Sequence, residues 1–427
     1  MSDHVFVGFG FGPIQAGLFA KEAFESGNFR RIVVAEIDQR LVDAVRANRG
    51  TYYVNVARED RVETVQIDGV ELFNPTRGSE VRKALAEATE ITTCLPSVGF
   101  YDSDKPDTVA ALIAEGLRAR KSGATIVYAA ENNNHAAEFL DQAVAKRLGV
   151  PVPARVQFLN TVIGKMSQVV TDPAEIAARN LAPIAPGIDR AFLVEEFNHI
   201  LVTKTAIPDF TPGIGVFIEK DDLLPFEEAK LYGHNAIHAL LGFIGTLKGY
   251  AKMPEIQADE PLLRVARQAF IRESGGALIR KYASLGDELF TEAGYRAYAE
   301  DLLVRITNPH LADSVARASR DVVRKLGIHD RIFGTMTLAL EHGIEPANMA
   351  TGALAGVALL LAGAAEYGLP REWQSLDWRS LPAESLTRLL AWLWQAPPSP
   401  ALHRLAGCTG SAAGPLIALL ARYTDSD

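Results

Sequence analysis

Two cysteines, Cys94 and Cys408, are all that this 427-residue chain carries. So few exclude a disulfide framework and a cysteine-based zinc site. No apolar run reaches the roughly 20 residues that span a bilayer. The longest, Ala350 to Ala365, is rich in Gly and Ala and reads as a buried helix. A basic excess is also lacking, and the net charge of -9 gives no general attraction for nucleic acid. The first strand starts by His4 or Val5, which leaves no room for a targeting segment ahead of it. A cytoplasmic protein that binds neither nucleic acid nor membrane is expected, as a monomer or small homo-oligomer. Internal repeats and low-complexity tracts are missing as well.

What remains is ordinary globular composition, 48% hydrophobic and 22% charged, in a chain long enough for two or three domains. The N-terminal half alternates strand and helix. His4 to Gly8 reads as a short buried strand running into GFGFGPIQAG, which places glycines at 8, 10, 12 and 17. An amphipathic helix follows to about Ser26, then the strand Ile32 to Ala35, ending in Glu36. That order is what a dinucleotide-binding Rossmann unit requires. Glycines admit a pyrophosphate close to the backbone, and a helix N-terminus offers unpaired N–H groups. Glu36 suits the adenosine ribose hydroxyls and disfavours a 2′-phosphate, so NAD is expected over NADP. Pro13 stands where the pattern often has another glycine, and Arg30 and Arg31 lie near enough to attract a phosphate. Further units, EITTCLPSVG, Asp107 to Lys121 and ATIVYAAENNNH, imply a parallel sheet. Glu131, Asn132 and Asn133 follow a strand end, where a ligand crevice lies; they equally suit capping of the next helix.

From about Ala191 the period becomes helical, in AFLVEEFNHILV, FEEAKLYGHNAIHALLGFIGTLKGYA and the segments after them. A boundary is expected in the Pro-rich stretch Leu181 to Asp189, giving a Rossmann domain over 1–188 and an all-α domain over 189–427. Within the helical half, Lys230, Asn235 and His238 fall in a stretch of nine residues. At about 100° per residue, with Lys230 at zero, Glu227 and His238 lie roughly 60° and 80° away and Asn235 about 140°. All four fit one arc of one helix.

Moving a hydride to or from an alcohol carbon needs a base for the hydroxyl proton and donors for the developing alkoxide. Two isolated cysteines and no paired histidines argue against zinc in that role. The Tyr101-x3-Lys105 pair lies in a turn-like stretch before Pro106 and reads as coincidence. A lysine base remains, and it needs its ordinary pKa of about 10.4 lowered by burial or by nearby positive charge. Downstream, Arg317, Arg320 and Arg324 recur at i, i+3 and i+7 with Lys325 beside them. This stripe suits an anionic substrate group held by guanidinium forks. It suits equally a solvated face paired with Asp313 and Asp321. Without context, Lys230, Asn235 and His238 also read as a surface lysine, a polar helix position and a packed histidine.

At these residues the sequence resembles the polyol-specific long-chain dehydrogenase (mannitol dehydrogenase) family, over roughly residues 4 to 365. The resemblance rests on the glycine turn, VVAEIDQRLVDAVRANRGTYYV, ITTCLPSVG, YAAENN, FLNTVIGKM and VEEFNHILVTKT. Its most specific segments are KLYGHNAIHA and NPHLADSVARASRDVVRKL. It implies a Rossmann domain followed by an all-helical domain, an active site in the cleft between them, and a metal-independent NAD-dependent secondary-alcohol dehydrogenase. Lys230 matches the family's catalytic base, Asn235 and Asn160 its two oxyanion donors, and His238 its substrate-orienting histidine. Glu227 or Glu228 matches an acid that helps move the lysine's proton. Gly8, Gly10, Gly12, Glu36 and Asn132 fall to the cofactor. Arg317 and Lys325 match basic residues of the substrate pocket, and with Arg320 and Arg324 they look like the sugar-phosphate branch. That branch interconverts mannitol 1-phosphate and fructose 6-phosphate. An unphosphorylated polyol or a hexuronate is the alternative substrate, and a non-catalytic dinucleotide sensor the alternative function. Two departures stand out. The glycine turn, GPIQAG, is two residues longer than usual, and Ile163-Gly164-Lys165-Met166 replaces Val-Asp-Arg-Ile, losing an acid.

Overall fold

Short runs of Val, Ile, Phe and Tyr bounded by Gly, Asn and Ser turns form the strands of the first half, as β-propensity and turn chemistry require. They are β1 (His4–Phe9), β2 (Phe29–Ala35), β3 (Tyr52–Ala57), β4 (Val62–Ile67), β5 (Val70–Phe73), β6 (Glu90–Thr93), β7 (Thr125–Ala129), β8 (Val156–Ile163), β9 (Ser167–Val170), β10 (Ala191–Glu195), β11 (Ile200–Thr203) and β12 (Phe217–Lys220). Between them run α1 (Ala20–Ser26), α2 (Gln39–Ala47), α3 (Glu80–Glu87), α4 (Val109–Ala119), α5 (Ala136–Leu148) and α6 (Pro173–Ala178). The structure is a computed structural model that describes residues 4–421. Its contacts divide the chain into two compact units, Met1–Phe226 and Glu227–Asp427.

In the first unit an eight-stranded sheet has the order β12-β11-β8-β7-β6-β1-β2-β5. Its segment β5-β2-β1-β6-β7-β8 is parallel throughout and follows the dinucleotide-fold order, whose ligand crevice opens where the order reverses. That point is between β1 and β6, at the glycine turn. Apolar layers cover both faces. One gathers Phe6, Leu18, Phe19 and Tyr128; the other gathers Val7, Val33, Leu112 and Leu140. A second sheet, β4-β3-β10-β9, carries the insertion between α2 and β5.

The helical reading of AFLVEEFNHILV is corrected. Ala191–Glu195 is β10, fully buried, in parallel with β3 and antiparallel with β9, and Ile200–Thr203 is β11. A short apolar run suits a buried strand as well as a helix, and periodicity alone does not separate them. Two flanking strands decided it. The Pro-rich stretch 181–189 lies inside the first unit, where Asn55 holds Ala182 through its side chain, donating to the carbonyl at 2.9 Å and accepting the N–H at 2.9 Å.

The second unit is helical. α7 (Leu224–Ala229) leads into it; α8 (Ala236–Lys248), α9 (Glu260–Gln268), α10 (Gly276–Tyr282), α11 (Glu292–Ile306), α12 (Val315–Ser319), α13 (Val322–Lys325), α14 (Phe333–Glu341), α15 (Ala347–Ala362), α16 (Ala383–Leu393), α17 (Pro400–Ser411) and α18 (Ala413–Leu420) follow. α15 contains most of the long apolar run and is buried nearly throughout, as expected. α8 is almost as buried. Gly242 lets it meet α12 closely, since a Cβ there would lie 2.7 Å from Ala318. Among the described residues no helix is long and apolar enough to cross a membrane.

Candidate active site

The glycine turn is anchored at both ends. Gly10 adopts φ +78°, and a Cβ on it would meet the Cys94 carbonyl at 2.8 Å, so the end of β1 presses on the end of β6. Between the glycines, Phe11 is 2% exposed and meets Tyr52 edge-on, with ring centroids 4.9 Å apart. Its N–H donates to Glu36 Oε2 at 2.7 Å, and Glu36 Oε1 accepts the Asp38 N–H at 2.7 Å. Glu36 therefore ties the glycine turn to the end of β2, where a ribose-binding acid belongs. Pro13 stands in the first helical turn, a position where its missing N–H costs nothing. The added length of the turn has a physical outlet. Gln15–Phe19 takes a π-helical register, the usual way a helix absorbs an extra residue. Tyr52 donates from its hydroxyl to the Ala16 carbonyl at 2.8 Å, satisfying a group in this wider turn.

A Cβ on Gly12 would meet nothing within 4 Å. This open space beside a helix N-terminus fits a pyrophosphate. Gly12→Ala is thus expected to leave the melting temperature unchanged while raising the cofactor dissociation constant about tenfold, because a methyl blocks close approach. Gly10→Ala should instead lower the melting temperature as well, through its positive φ and the Cys94 clash. Cofactor titration and thermal unfolding of both variants check this. Arg30 and Arg31 do not serve a phosphate in this structure: Arg30 pairs with Glu87 and Arg31 forks onto Glu71.

The polar cluster after β7 is divided. Glu131 is 5% exposed and accepts hydrogen bonds from Thr93, Leu95 and the Tyr101 hydroxyl; burial raises its carboxyl above the ordinary range despite them. It braces the loop after β6, and Tyr101 is engaged there rather than with Lys105. Asn133 accepts the His135 N–H at 2.9 Å, as a helix-entry residue does. Asn132 is exposed. On β8, Asn160 accepts the Ala137 N–H at 2.9 Å and donates to Glu138 at 2.8 Å. It thereby fixes the start of α5, with a second N–H left on its amide.

In the second unit, Lys230–Asn235 is a π-helical turn between α7 and α8. The α-helical arithmetic for Lys230, Asn235 and His238 is corrected accordingly, because i→i+5 bonding widens the turn. The wider turn is supported from outside. The Thr335 hydroxyl lies 3.1 Å from the Tyr232 carbonyl and 2.6 Å from that of Arg331. A Cβ on Gly233 would meet Phe270 at 2.7 Å, so only glycine fits there. Lys230 is half-buried. Burial, then the Arg331 charge, lower its pKa to about 8, with Glu227 opposing. That places a lysine where a proton can be exchanged near neutral pH. Of the two candidate acids, Glu227 is buried and acts on Lys230, whereas Glu228 is held by Lys281 and Tyr282.

His238 is held by Asp313, with Nε2 3.0 Å from Oδ2. Asp313 is 1% exposed and accepts both arms of Arg317, at 2.6 and 2.7 Å. Burial alone would raise the Asp313 carboxyl, but the His238 and Arg317 hydrogen bonds hold it well below the usual carboxylate range. Burial in turn lowers His238, and its bond to Asp313 opposes that. A neutral imidazole in fixed orientation results.

The single basic stripe is corrected. α12 ends at Ser319 and α13 starts at Val322, with Asp321 between them at φ +59°. Arg317, Arg320 and Arg324 therefore do not share one helical face. Arg317 is committed to Asp313, Arg320 lies 3.8 Å from Asp321, and Arg324 lies 3.5 Å from Asp321 and 3.6 Å from Asp330. Lys325 alone of the four is buried, donating to the Ala318 carbonyl at 2.6 Å. Asp313, Thr335 and Arg331 were not singled out as site residues from the sequence. Only Asp313 had a signal, its i,i+4 spacing to Arg317.

The first unit carries an open glycine turn on a Rossmann sheet, and the second carries a lysine of lowered pKa and an oriented histidine, the parts a dinucleotide-dependent alcohol dehydrogenase requires. The family models bear on both units. The Mannitol dehydrogenase Rossmann domain matches residues 5–211, and the Mannitol dehydrogenase C-terminal domain matches residues 222–385. This chain belongs to the mannitol dehydrogenase family. A relative named mannitol-1-phosphate 5-dehydrogenase, from Buchnera aphidicola subsp. Acyrthosiphon pisum (strain APS), is 27% identical over 349 residues, covering 81% of this chain and 83% of that one. Among solved structures, Pseudomonas fluorescens mannitol 2-dehydrogenase, in ternary complex with NAD and D-mannitol, shares the fold with TM-score 0.68 and 19% identity over 98% of this chain and 94% of its own. A D-sorbitol dehydrogenase in substrate-free form does so with TM-score 0.74 and 17% identity over 96% and 92%.

Proposed function

We propose that this polyol dehydrogenase uses NAD to interconvert mannitol 1-phosphate and fructose 6-phosphate, with Lys230 as general base. The observation that carries the reading is the half-buried Lys230, at a pKa of about 8, on a π turn that also bears Asn235. In the oxidative direction Lys230 Nζ takes the hydroxyl proton as the carbon–hydrogen bond breaks toward the cofactor. Asn235 donates to the developing oxyanion, and so does Asn160 by the family resemblance. His238, fixed by Asp313, orients the substrate, and Glu227 assists the lysine's proton exchange. Gly8, Gly10, Gly12, Glu36 and Asn132 hold the dinucleotide, which when bound supplies the hydride acceptor or donor. The Glu36 charge supports NAD over NADP.

A free polyol is the second reading, favoured by the engagement of Arg317, Arg320 and Arg324 with carboxylates. Catalytic efficiency on mannitol and on mannitol 1-phosphate, with NAD and then NADP, separates the two. The phosphorylated substrate with NAD is expected to win by about 100-fold or more, the worth of a charge-assisted contact pair. A preference for mannitol overturns the phosphate assignment. Binding of NAD without turnover of any polyol or ketose leaves a sensor instead.

A further inference from the structure

We infer that Arg331 and Lys325 form the anion subsite of the active site, recognising the phosphoryl group of the substrate in place of the expected arginine stripe. This inference rests on the reading above of a sugar-alcohol phosphate as substrate.

The segment from Arg320 to Arg331 holds four cations, Arg320, Arg324, Lys325 and Arg331, against two carboxylates, Asp321 and Asp330. The fold distributes them unevenly. Arg320 and Arg324 are 67% and 55% exposed and lie against Asp321, with Asp330 shared between Arg324 at 3.6 Å and Arg331 at 2.7 Å. Lys325 and Arg331 are the inward pair. The Lys325 residue is 4% exposed, and the Arg331 side chain is 13% exposed. Backbone bonds fold the chain back between them: Gly327 N–H to the Arg324 carbonyl at 2.9 Å, and Asp330 N–H to the Gly327 carbonyl at 3.1 Å.

The same turn sits against the lysine base. Thr335 reaches the carbonyls of both Tyr232 and Arg331, and a Cβ on Gly334 would meet the Tyr232 ring at 2.6 Å. Arg331 is thereby tied to the turn that carries Lys230. Asp330 accepts the Arg331 Nε–H at 2.7 Å. Among the described residues neither Nη group of Arg331 makes a hydrogen bond, so the outer edge of the fork is unspent. Lys325 Nζ has one bond, to a neutral carbonyl, and no carboxylate within ion-pair distance among the described residues.

Charge interactions agree. Burial first, then Arg331, lower Lys325 to about 7, and Arg331 is the main cation acting on Lys230. Glu227, Asp321 and Asp330 work the other way, and Arg320, Arg324, His234, His238 and Arg305 also act on this group of charges. Lys325, with no carboxylate, and Arg331, with only its Nε edge on Asp330, leave inward positive charge that is costly unless an anion completes it. A phosphate oxyanion beside the reacting alcohol meets that need, and the planar fork suits it.

The test is a pair of variants, Arg331→Met and Arg331→Lys, in the full chain with NAD. Mannitol and mannitol 1-phosphate are compared through kcat and KM, with circular dichroism as the folding check. Arg331→Met should lower kcat/KM for the phosphorylated substrate about 10- to 100-fold more than for mannitol, mainly through KM, while the smaller loss shared by both substrates reports the raised pKa of Lys230. Arg331→Lys should recover part of the loss. Inorganic phosphate should inhibit mannitol oxidation competitively in the wild type and much less in Arg331→Met. A wild type that prefers the phosphorylated substrate, with Arg331→Met keeping that preference, overturns the subsite and leaves the substrate reading intact. Equal losses on both substrates also overturn it, since Arg331 would then act only through Lys230. A wild type that prefers mannitol removes the substrate reading and the subsite together.

Discussion

Lys230→Ala is expected to lower kcat for polyol oxidation by about 10²- to 10⁴-fold, the range for loss of a general base. Cofactor affinity should stay within about threefold, because the glycine turn lies in the other compact unit. The pH dependence gives a second readout. Oxidation needs the neutral amine, so its rate should rise as pH passes through about 8, the lowered value of Lys230. Ketone reduction needs the ammonium, so its rate should fall over the same interval. Both limbs should vanish in the variant. A Lys230→Ala enzyme that keeps near-normal turnover, or keeps the wild-type limb, removes lysine as the base.

Asp313→Ala carries the largest expected cost to folding. It strips a buried carboxylate from His238 and from both arms of Arg317. Removing one partner of a buried charge pair costs about 3–5 kcal/mol. Arg317 is a third exposed, so solvent screening reduces this to about 2–3 kcal/mol. The sign with pH follows from the lowered carboxyl of Asp313. Its contribution is present above the ordinary carboxylate range and is lost as pH falls through the lowered folded value. Urea unfolding at neutral pH measures the difference. Arg320→Ala, at a position 67% exposed, should change stability by less than about 0.5 kcal/mol. If the two variants unfold alike, the Asp313 cluster has no structural role. Activity in Asp313→Ala should also drop, since His238 loses what orients it.

Much of the candidate site was legible along the chain. The glycine turn, Glu36 at the end of β2, and the Lys230-Asn235-His238 spacing each depend on neighbours a few residues away, and local chemistry writes them into the sequence. The parallel sheet was expected too, because strand-helix alternation leaves few other topologies. Of the two readings of the arginine stripe, the ion pairs match the one that paired it with Asp313 and Asp321. Asp321 takes a left-handed conformation, which breaks one apparent helix into two turns and commits the arginines to carboxylates. AFLVEEFNHILV failed because its apolar residues answer to flanking strands and not to their own period.

By itself the sequence determined the composition class, the dinucleotide-type half with its acid at the end of the second strand, the helical half, and the residue types able to exchange a proton with an alcohol. These follow from local propensity and short-range spacing. The tertiary structure decided which charges are spent and which remain. Asp313 neutralises Arg317, Glu228 is taken by Lys281, and Arg331 stands beside the π turn of Lys230 with the outer edge of its fork unspent. Pairings between residues far apart along the chain depend on which surfaces the packed helices bring within a few ångströms. Burial then multiplies their electrostatic weight, which is why Arg331, a hundred positions away, adds to the lowering that burial itself imposes on Lys230.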